Sequence, residues 1–244
     1  MCSQVELLLK LKHRNIVQLY GLWTRKHPQL QTTRLYMVME LCKGGNLQSR
    51  IDNGGLTVTE KLRWARDVAS GISYLHTRDP PVLHRDIKPA NVVLTQGGAA
   101  KLVDFGLSKY VNNNAGPATQ LVGTVAYMAP ELMSDEESAQ SGDRRAVDVY
   151  SFAVLLCALW TGVEPYKGLY TKQILVNVNL HDKRPSLELL ADDDGAVAAS
   201  DLHSSMCKLI REMWATEAVA RPTVQQVSTQ LHLMQESDCN RGSD

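Results

Sequence analysis

The stretch from His84 to Gly106 reads HRDIKPANVVLTQGGAAKLVDFG, and the rest of the chain is organised around it. It carries two carboxylates, Asp86 and Asp104, with Lys88 and Asn91, on or beside two strand-like runs, Val92–Leu94 and Lys101–Val103. Phosphoryl transfer needs a group to take the attacking hydroxyl's proton, a cation for the transferred phosphoryl, and oxygen ligands for Mg²⁺. Its catalysis is positioning plus electrostatics. These four side chains supply each kind. Asn91 follows Asp86 by five residues and Asp104 follows it by eighteen, with Gly97-Gly98 between the runs, so a hairpin can fold both acids onto one site.

Composition narrows what surrounds this site. A chain of 244 residues that is 44% hydrophobic can bury a substantial core. Its 26 basic residues balance its 26 acidic ones, so no global field draws it to nucleic acid or anionic lipid. The five cysteines, at 2, 42, 157, 207 and 239, form no C-x-x-C pair and no zinc spacing, which fits a reducing, cytoplasmic setting. The N-terminus has neither the basic nor the apolar region of a secretory signal. The longest apolar run, Val147 to Val163, is interrupted by Asp148 and Ser151 and is short of a bilayer span, so it is expected as a buried helix.

Before the central stretch, leucines at 7, 8 and 11 with Val5 make a helical stripe, with Lys10 and Lys12 on the other face. Ile16–Trp23 and Leu35–Glu40 are β-branched and aromatic runs that suit antiparallel strands, joined by the polar segment Thr24–Thr33. Gly44-Gly45 frees the backbone to turn into a short helix over Asn46–Ile51. Thr57-x-x-Glu60 is a capping box, and Leu62, Ala65, Val68, Ala69, Ile72 and Leu75 form the apolar stripe of the long helix it opens, stopped by Asp79-Pro80-Pro81. After it, helices are expected at Val149–Thr161, ended by Gly162, and around Thr171–Asn179, Ser200–Trp214 and Val224–Gln235. SDEESAQSGDRR, from Ser134 to Arg145, reads as a solvated loop.

At its motifs the chain resembles the eukaryotic protein kinases. His84-Arg85-Asp86 with Asn91 matches the catalytic loop, Asp104-Phe105-Gly106 the metal-binding motif, and Ala129-Pro130-Glu131 the end of the activation segment. The resemblance runs from about Gln4 to about Leu231. It implies an α+β, bilobal fold in which residues 1–41 are a remnant of the small lobe, 42–235 are the helical large lobe, and 236–244 are a disordered tail. It also implies ATP and Mg²⁺. Asp86 would orient the hydroxyl, Lys88 neutralise the γ-phosphate, and Asn91 and Asp104 hold the metal.

Further roles follow from the same resemblance. Glu40 to Cys42 would be the hinge that meets adenine, with Met39 as gatekeeper and Leu94 as the floor. Without the resemblance, Glu40 to Cys42 would read as a strand end with a buried cysteine, and Leu94, as an apolar strand residue, needs no adenine role to be explained. Lys88 and Gly123-Thr124 resemble serine/threonine kinases, with Thr124 bonding Asp86 and Lys88, and the flanks resemble the tyrosine-kinase-like branch. Arg85 precedes the aspartate, as in kinases whose activation loop is ordered by a phosphate. Thr119 is then the candidate site for an upstream kinase, although it reads as well as one hydroxyl in a polar loop. Glu131 would pair with Arg221, and Asp148 would accept backbone N–H groups of the catalytic loop.

The chain departs from the family pattern ahead of these motifs. The 244 residues hold no glycine-rich phosphate loop and no strand lysine before the first helix. The position where the family has a glutamate falls on Gln4, and Glu6 lies about 200° around the helix from it. The expectation is a protein serine/threonine kinase that is poorly active as these 244 residues alone. The alternative is a non-catalytic, pseudokinase-like scaffold, and a small-molecule phosphotransferase stands third.

Overall fold

The structure is a computed structural model that describes residues 8–26, 33–104, 109–110, 125–133, 143–188 and 201–241. Residues 8–10 are the end of a helix, followed by β1 (Leu19–Lys26) and β2 (Thr33–Met39), paired antiparallel from Leu19–Met39 to Lys26–Thr33. β1 lies three residues later in the sequence than its apolar run suggested. Ile16 and Val17 instead reach the large lobe: Ile16 bridges Leu102, and the Val17 N–H donates to the Leu102 carbonyl at 2.9 Å. β1 and β2 show water many apolar side chains, Trp23 at 52% and Met37 at 50% exposed among them.

The large lobe starts at α1 (Leu47–Asn53), whose N-cap Asn46 accepts from the Ser49 N–H at 2.8 Å. α2 (Val58–His76) opens on the expected capping box. Thr57 Oγ1 accepts from the Glu60 N–H at 3.2 Å, and a Glu60 carboxylate oxygen accepts from the Thr57 N–H at 3.0 Å. Its whole predicted stripe, Leu62 to Leu75, is buried. Two-residue β3 (Val82–Leu83) pairs with β6 (Lys109–Tyr110), and β4 (Val92–Leu94) pairs with β5 (Ala100–Leu102) in a hairpin. β5 begins one residue earlier than predicted.

α3 (Ala146–Thr161) is buried at every position, so it is the central helix of the core rather than an amphipathic one. It starts three residues ahead of the predicted bound, placing Asp148 inside its first turn, and Gly162 ends it in the left-handed conformation. α4 (Thr171–His181), α5 (Asp201–Met213) and α6 (Val224–Arg241) complete the lobe, with α6 packed along α2. α6 corrects the expectation of a disordered tail from residue 236, because its backbone is helical to Arg241. No glycine or proline interrupts 224–241, so nothing in that span stops the helix. No helix among the described residues is long and apolar enough to cross a membrane.

One close approach fixes how α2 meets the hairpin. A Cβ at Gly71 would lie 2.9 Å from the Asn15 carbonyl oxygen and 2.9 Å from Leu102 Cδ1. That carbonyl accepts the Leu102 N–H at 2.9 Å, and Asn15 Nδ2 donates to Ala100 O at 2.9 Å. Gly71→Val should therefore lower stability by about 1–3 kcal/mol through overpacking. Urea denaturation checks it, and a change under 0.5 kcal/mol would show that the contact yields.

Candidate active site

The loop between β3 and β4 is held from below by a buried carboxylate. Asp148 Oδ2 accepts the His84 N–H at 2.9 Å, and Oδ1 accepts the Arg85 N–H at 2.9 Å. His76 Nε2, on α2, lies 2.9 Å from Oδ2, so the acid joins α2, α3 and the loop. Burial by itself would raise the pKa of Asp148. The His76 hydrogen bond and charge, the charge of His84 and the Arg85 N–H outweigh it, and the net shift is downward. The loop reverses through Arg85, at φ +67. His84 is fully buried, and its Nδ1 accepts the Asp86 N–H at 3.3 Å, which leaves the ring hydrogen on Nε2. Burial pushes the ring's pKa below the usual histidine value, against the pull of Asp148, Asp86, a Val103 backbone hydrogen bond and Asp104.

Above this support the predicted polar set comes together. Lys88 Nζ donates to both Asp86 carboxylate oxygens, at 3.0 and 2.7 Å. Asn91 Nδ2 donates to the Asp86 backbone carbonyl at 2.9 Å and to Oδ2 at 2.7 Å. The Asn91 amide hydrogens are thus committed to Asp86, and its side-chain oxygen is the group suited to a cation. Asp104 follows directly: the Val103 N–H donates to the Asn91 backbone carbonyl at 3.0 Å, and Asp104 turns away from β5 at φ +64, exposed to solvent. An amide oxygen and a carboxylate are hard oxygen donors of the kind Mg²⁺ takes.

On the other side of this set, Met39 ends β2 and the Glu40 N–H donates to Gln18 O at 2.9 Å. The Glu40 side chain is engaged by Lys101 of β5, whose Nζ lies 2.8 Å from its carboxylate, so only its backbone faces a ligand role. Burial and then the Glu40 charge raise the Cys42 thiol pKa, opposed by Lys101. Leu94 is buried, and a Cβ at Gly44 would meet Leu94 Cβ at 2.7 Å, which is why the chain passes there as glycine. The Gly44 N–H donates to Leu94 O, and the Leu94 N–H donates to Gly45 O, both at 2.8 Å.

Glu131 meets Arg221 in a two-point pair, Nη1 to Oε1 at 2.6 Å and Nη2 to Oε2 at 2.8 Å. Arg221 also donates from Nε to Ala215 O, from Nη1 to Ala146 O and from Nη2 to Thr216 O. All five of its donors are therefore used, and its guanidinium lies 5.1 Å from the Tyr150 ring centre.

The family model for the protein kinase domain matches residues 1–233. The chain belongs to that family. Within it the chain resembles serine/threonine kinases of the tyrosine-kinase-like type. It is similar to the serine/threonine-protein kinase VIK of Arabidopsis thaliana, 37% identical over 170 residues, 67% of this chain and 36% of that protein. Serine/threonine-protein kinase CTR1 of the same plant is 33% identical over 224 residues, 90% of this chain and 25% of CTR1. A putative serine/threonine-protein kinase/receptor of Acanthamoeba polyphaga mimivirus is 30% identical over 231 residues, 92% of this chain and 12% of that protein. The chain thus spans between 12% and 36% of the length of these curated relatives.

Within this kinase domain, the structure brings Asp86, Lys88 and Asn91 into mutual contact and sets Asp104 beside them. Thr119, Thr124, Phe105-Gly106, Gln4 and Glu6 lie outside the described residues. Sequence reasoning passed over Lys101, His76 and Asn15. Each is an ordinary residue of a strand, helix or loop whose partner lies at least 61 positions away, so no local pattern marks it.

Two expectations follow. Glu131→Ala leaves a buried guanidinium short of its counter-ion and should cost about 3–5 kcal/mol, measured by urea denaturation against Glu131→Gln, which should cost less. For His84, the folded ring binds fewer protons than the unfolded one below about pH 6.5, so stability falls as pH drops through that value. His13, lowered by burial and by Arg14, Arg78 and Lys101, adds to the same slope. The slope of unfolding free energy between about pH 7.5 and 5.5 should flatten in His84→Asn. An unchanged slope would remove the buried neutral imidazole as its source.

Proposed function

We propose that this chain is the large lobe and part of the small lobe of a protein serine/threonine kinase that uses ATP and Mg²⁺. The observation that carries the reading is the Asp86 carboxylate gripped by Lys88 and Asn91 above the Asp148 support. An acid fixed this way can hold a substrate hydroxyl and take its proton, with Lys88 beside it as the cation for the transferred group. Asn91 and Asp104 would hold Mg²⁺, and Met39, the Glu40–Cys42 backbone and Leu94 would hold the adenine end of ATP. When bound, Mg²⁺ would supply positive charge across the phosphates. Residues 1–41 act as small-lobe remnant and 42–235 as large lobe in this reading.

Thr124 would position the hydroxyl donor. Arg85 would receive a phosphate placed on Thr119 by an upstream kinase. Burial lowers the Arg85 pKa, Asp148 opposes this, and the adjacent Arg144 lowers it further, so an anion there relieves repulsion. A cytoplasmic setting belongs to the same reading, since Cys42, Cys157 and Cys207 stand as free thiols. Because these 244 residues hold no glycine-rich loop and no strand lysine, they transfer phosphate slowly by themselves.

One observation favours a second reading, a pseudokinase-like scaffold: β1 and β2 expose Trp23, Met37 and Val38, apolar surface that a partner would cover. The two readings separate on Mg²⁺-dependent transfer from labelled ATP to a mixed serine/threonine peptide pool. The kinase reading expects weak transfer that falls by roughly 10²–10⁴-fold in Asp86→Asn and disappears in Asp104→Asn. No transfer, together with a thermal midpoint that Mg²⁺-ATP moves no more in the wild type than in Asp104→Asn, would leave the scaffold.

A further inference from the structure

On the side of the hairpin turn, four segments border an open pocket of about 560 Å³. Helix α2 contributes Arg63, Arg66, Asp67 and Ser70, spaced so that they share one face. Helix α6 contributes Ser228, His232 and Gln235 at matching steps. Arg14 and Asn15 come from the segment before β1, and Gly97 and Ala99 from the β4–β5 turn. The volume lies in the usual range for small-molecule sites, about 300–1,000 Å³.

The charge of this pocket is uneven in a chain whose overall charge is zero. Among the described residues, three guanidinium groups line it against one carboxylate, and that carboxylate is engaged: Asp67 Oδ2 accepts the Ala100 N–H at 2.8 Å. Arg66 donates from Nη1 to Gln235 Oε1, while its Nε is buried with no hydrogen-bond partner among the described residues. An unsatisfied charged donor of this kind calls for an acceptor. Arg63 lies across the turn at Gly98, where φ is +77 and an added Cβ would sit 2.6 Å from Arg63 Nη2. Glycine there keeps the guanidinium at the pocket wall. Trp64 Nε1 donates to Gly98 O at 2.9 Å and anchors the same turn to α2.

We propose that this pocket binds a small polyanion bearing phosphate groups. The arginine fork matches phosphate oxygens two at a time, and three forks exceed what a single carboxylate could neutralise. Bound there, the ligand would tie α2, α6 and the Arg14–Asn15 segment together. That segment already joins β5 through Asn15, so the ligand would brace the junction between the small-lobe remnant and the large lobe. Nothing in this site overlaps the Asp86 group, so it stands or falls apart from the kinase reading.

The test is thermal unfolding of the full chain with inorganic tripolyphosphate at about 1 mM, without Mg²⁺, against sodium chloride of matched ionic strength. Binding should raise the midpoint by roughly 3 °C. The rise should vanish in the double variant Arg14→Gln, Arg63→Gln, whose side chains are exposed in the free protein, and persist in Lys88→Met. If the double variant alone melts lower than the wild type, Arg14→Gln is compared by itself and should still reduce the rise. The proposal is overturned by no rise beyond chloride, by an equal rise in the arginine variants, or by a rise lost only in Lys88→Met, which would place the anion at the Asp86 site.

Discussion

Asp148 joins α2 and α3 to the loop that carries Asp86. It sits in the first turn of a helix buried along its whole length, takes hydrogen bonds from two consecutive loop N–H groups, and meets a histidine from α2. A buried carboxylate is costly unless it is fully bonded, and here each bond fixes a separate piece of chain. The helix N-terminus adds a favourable field. The left-handed turn at Arg85 is then held by its neighbours, and Asp86 is delivered to Lys88 and Asn91 as a consequence of what lies beneath it.

The same economy of means governs the rest of the lobe. Arg221 uses every donor to bind Glu131 together with three backbone carbonyls, so one side chain joins the Ala129-Pro130-Glu131 turn to α3 and to the segment before α6. Asn15 does this between lobes at smaller scale, through its own side chain and carbonyl. Gly71 and Gly44 mark where backbone or side chains come too close for any Cβ. These are long-range polar ties set inside an apolar frame, and the frame supplies the dry surroundings that make them strong.

Much of the large lobe was legible from residue order. Capping residues Asn46 and Thr57, the stripe from Leu62 to Leu75 and the stop at Gly162 act within a few positions of themselves, and local pattern reports local physics. The candidate site was legible because its four polar residues fall within nineteen positions across one hairpin. Strand bounds were read less well. Ile16 and Val17 have strand-like side chains, yet they bond to Leu102 rather than join β1, a choice made by a partner more than eighty positions away.

Residue identity and spacing therefore pointed to the family, to most helices, and to Asp86, Lys88, Asn91 and Asp104 as a candidate polar set, since each depends on neighbours in sequence. Only the tertiary structure decided that Glu40 is held by Lys101, that Asp148 also meets His76, and that α6 continues to Arg241. It alone gathered Arg14, Arg63 and Arg66 around one pocket. Charge at a distance of fifty residues carries no periodic signal. It becomes a site only when the packing of two helices and a hairpin removes the space between.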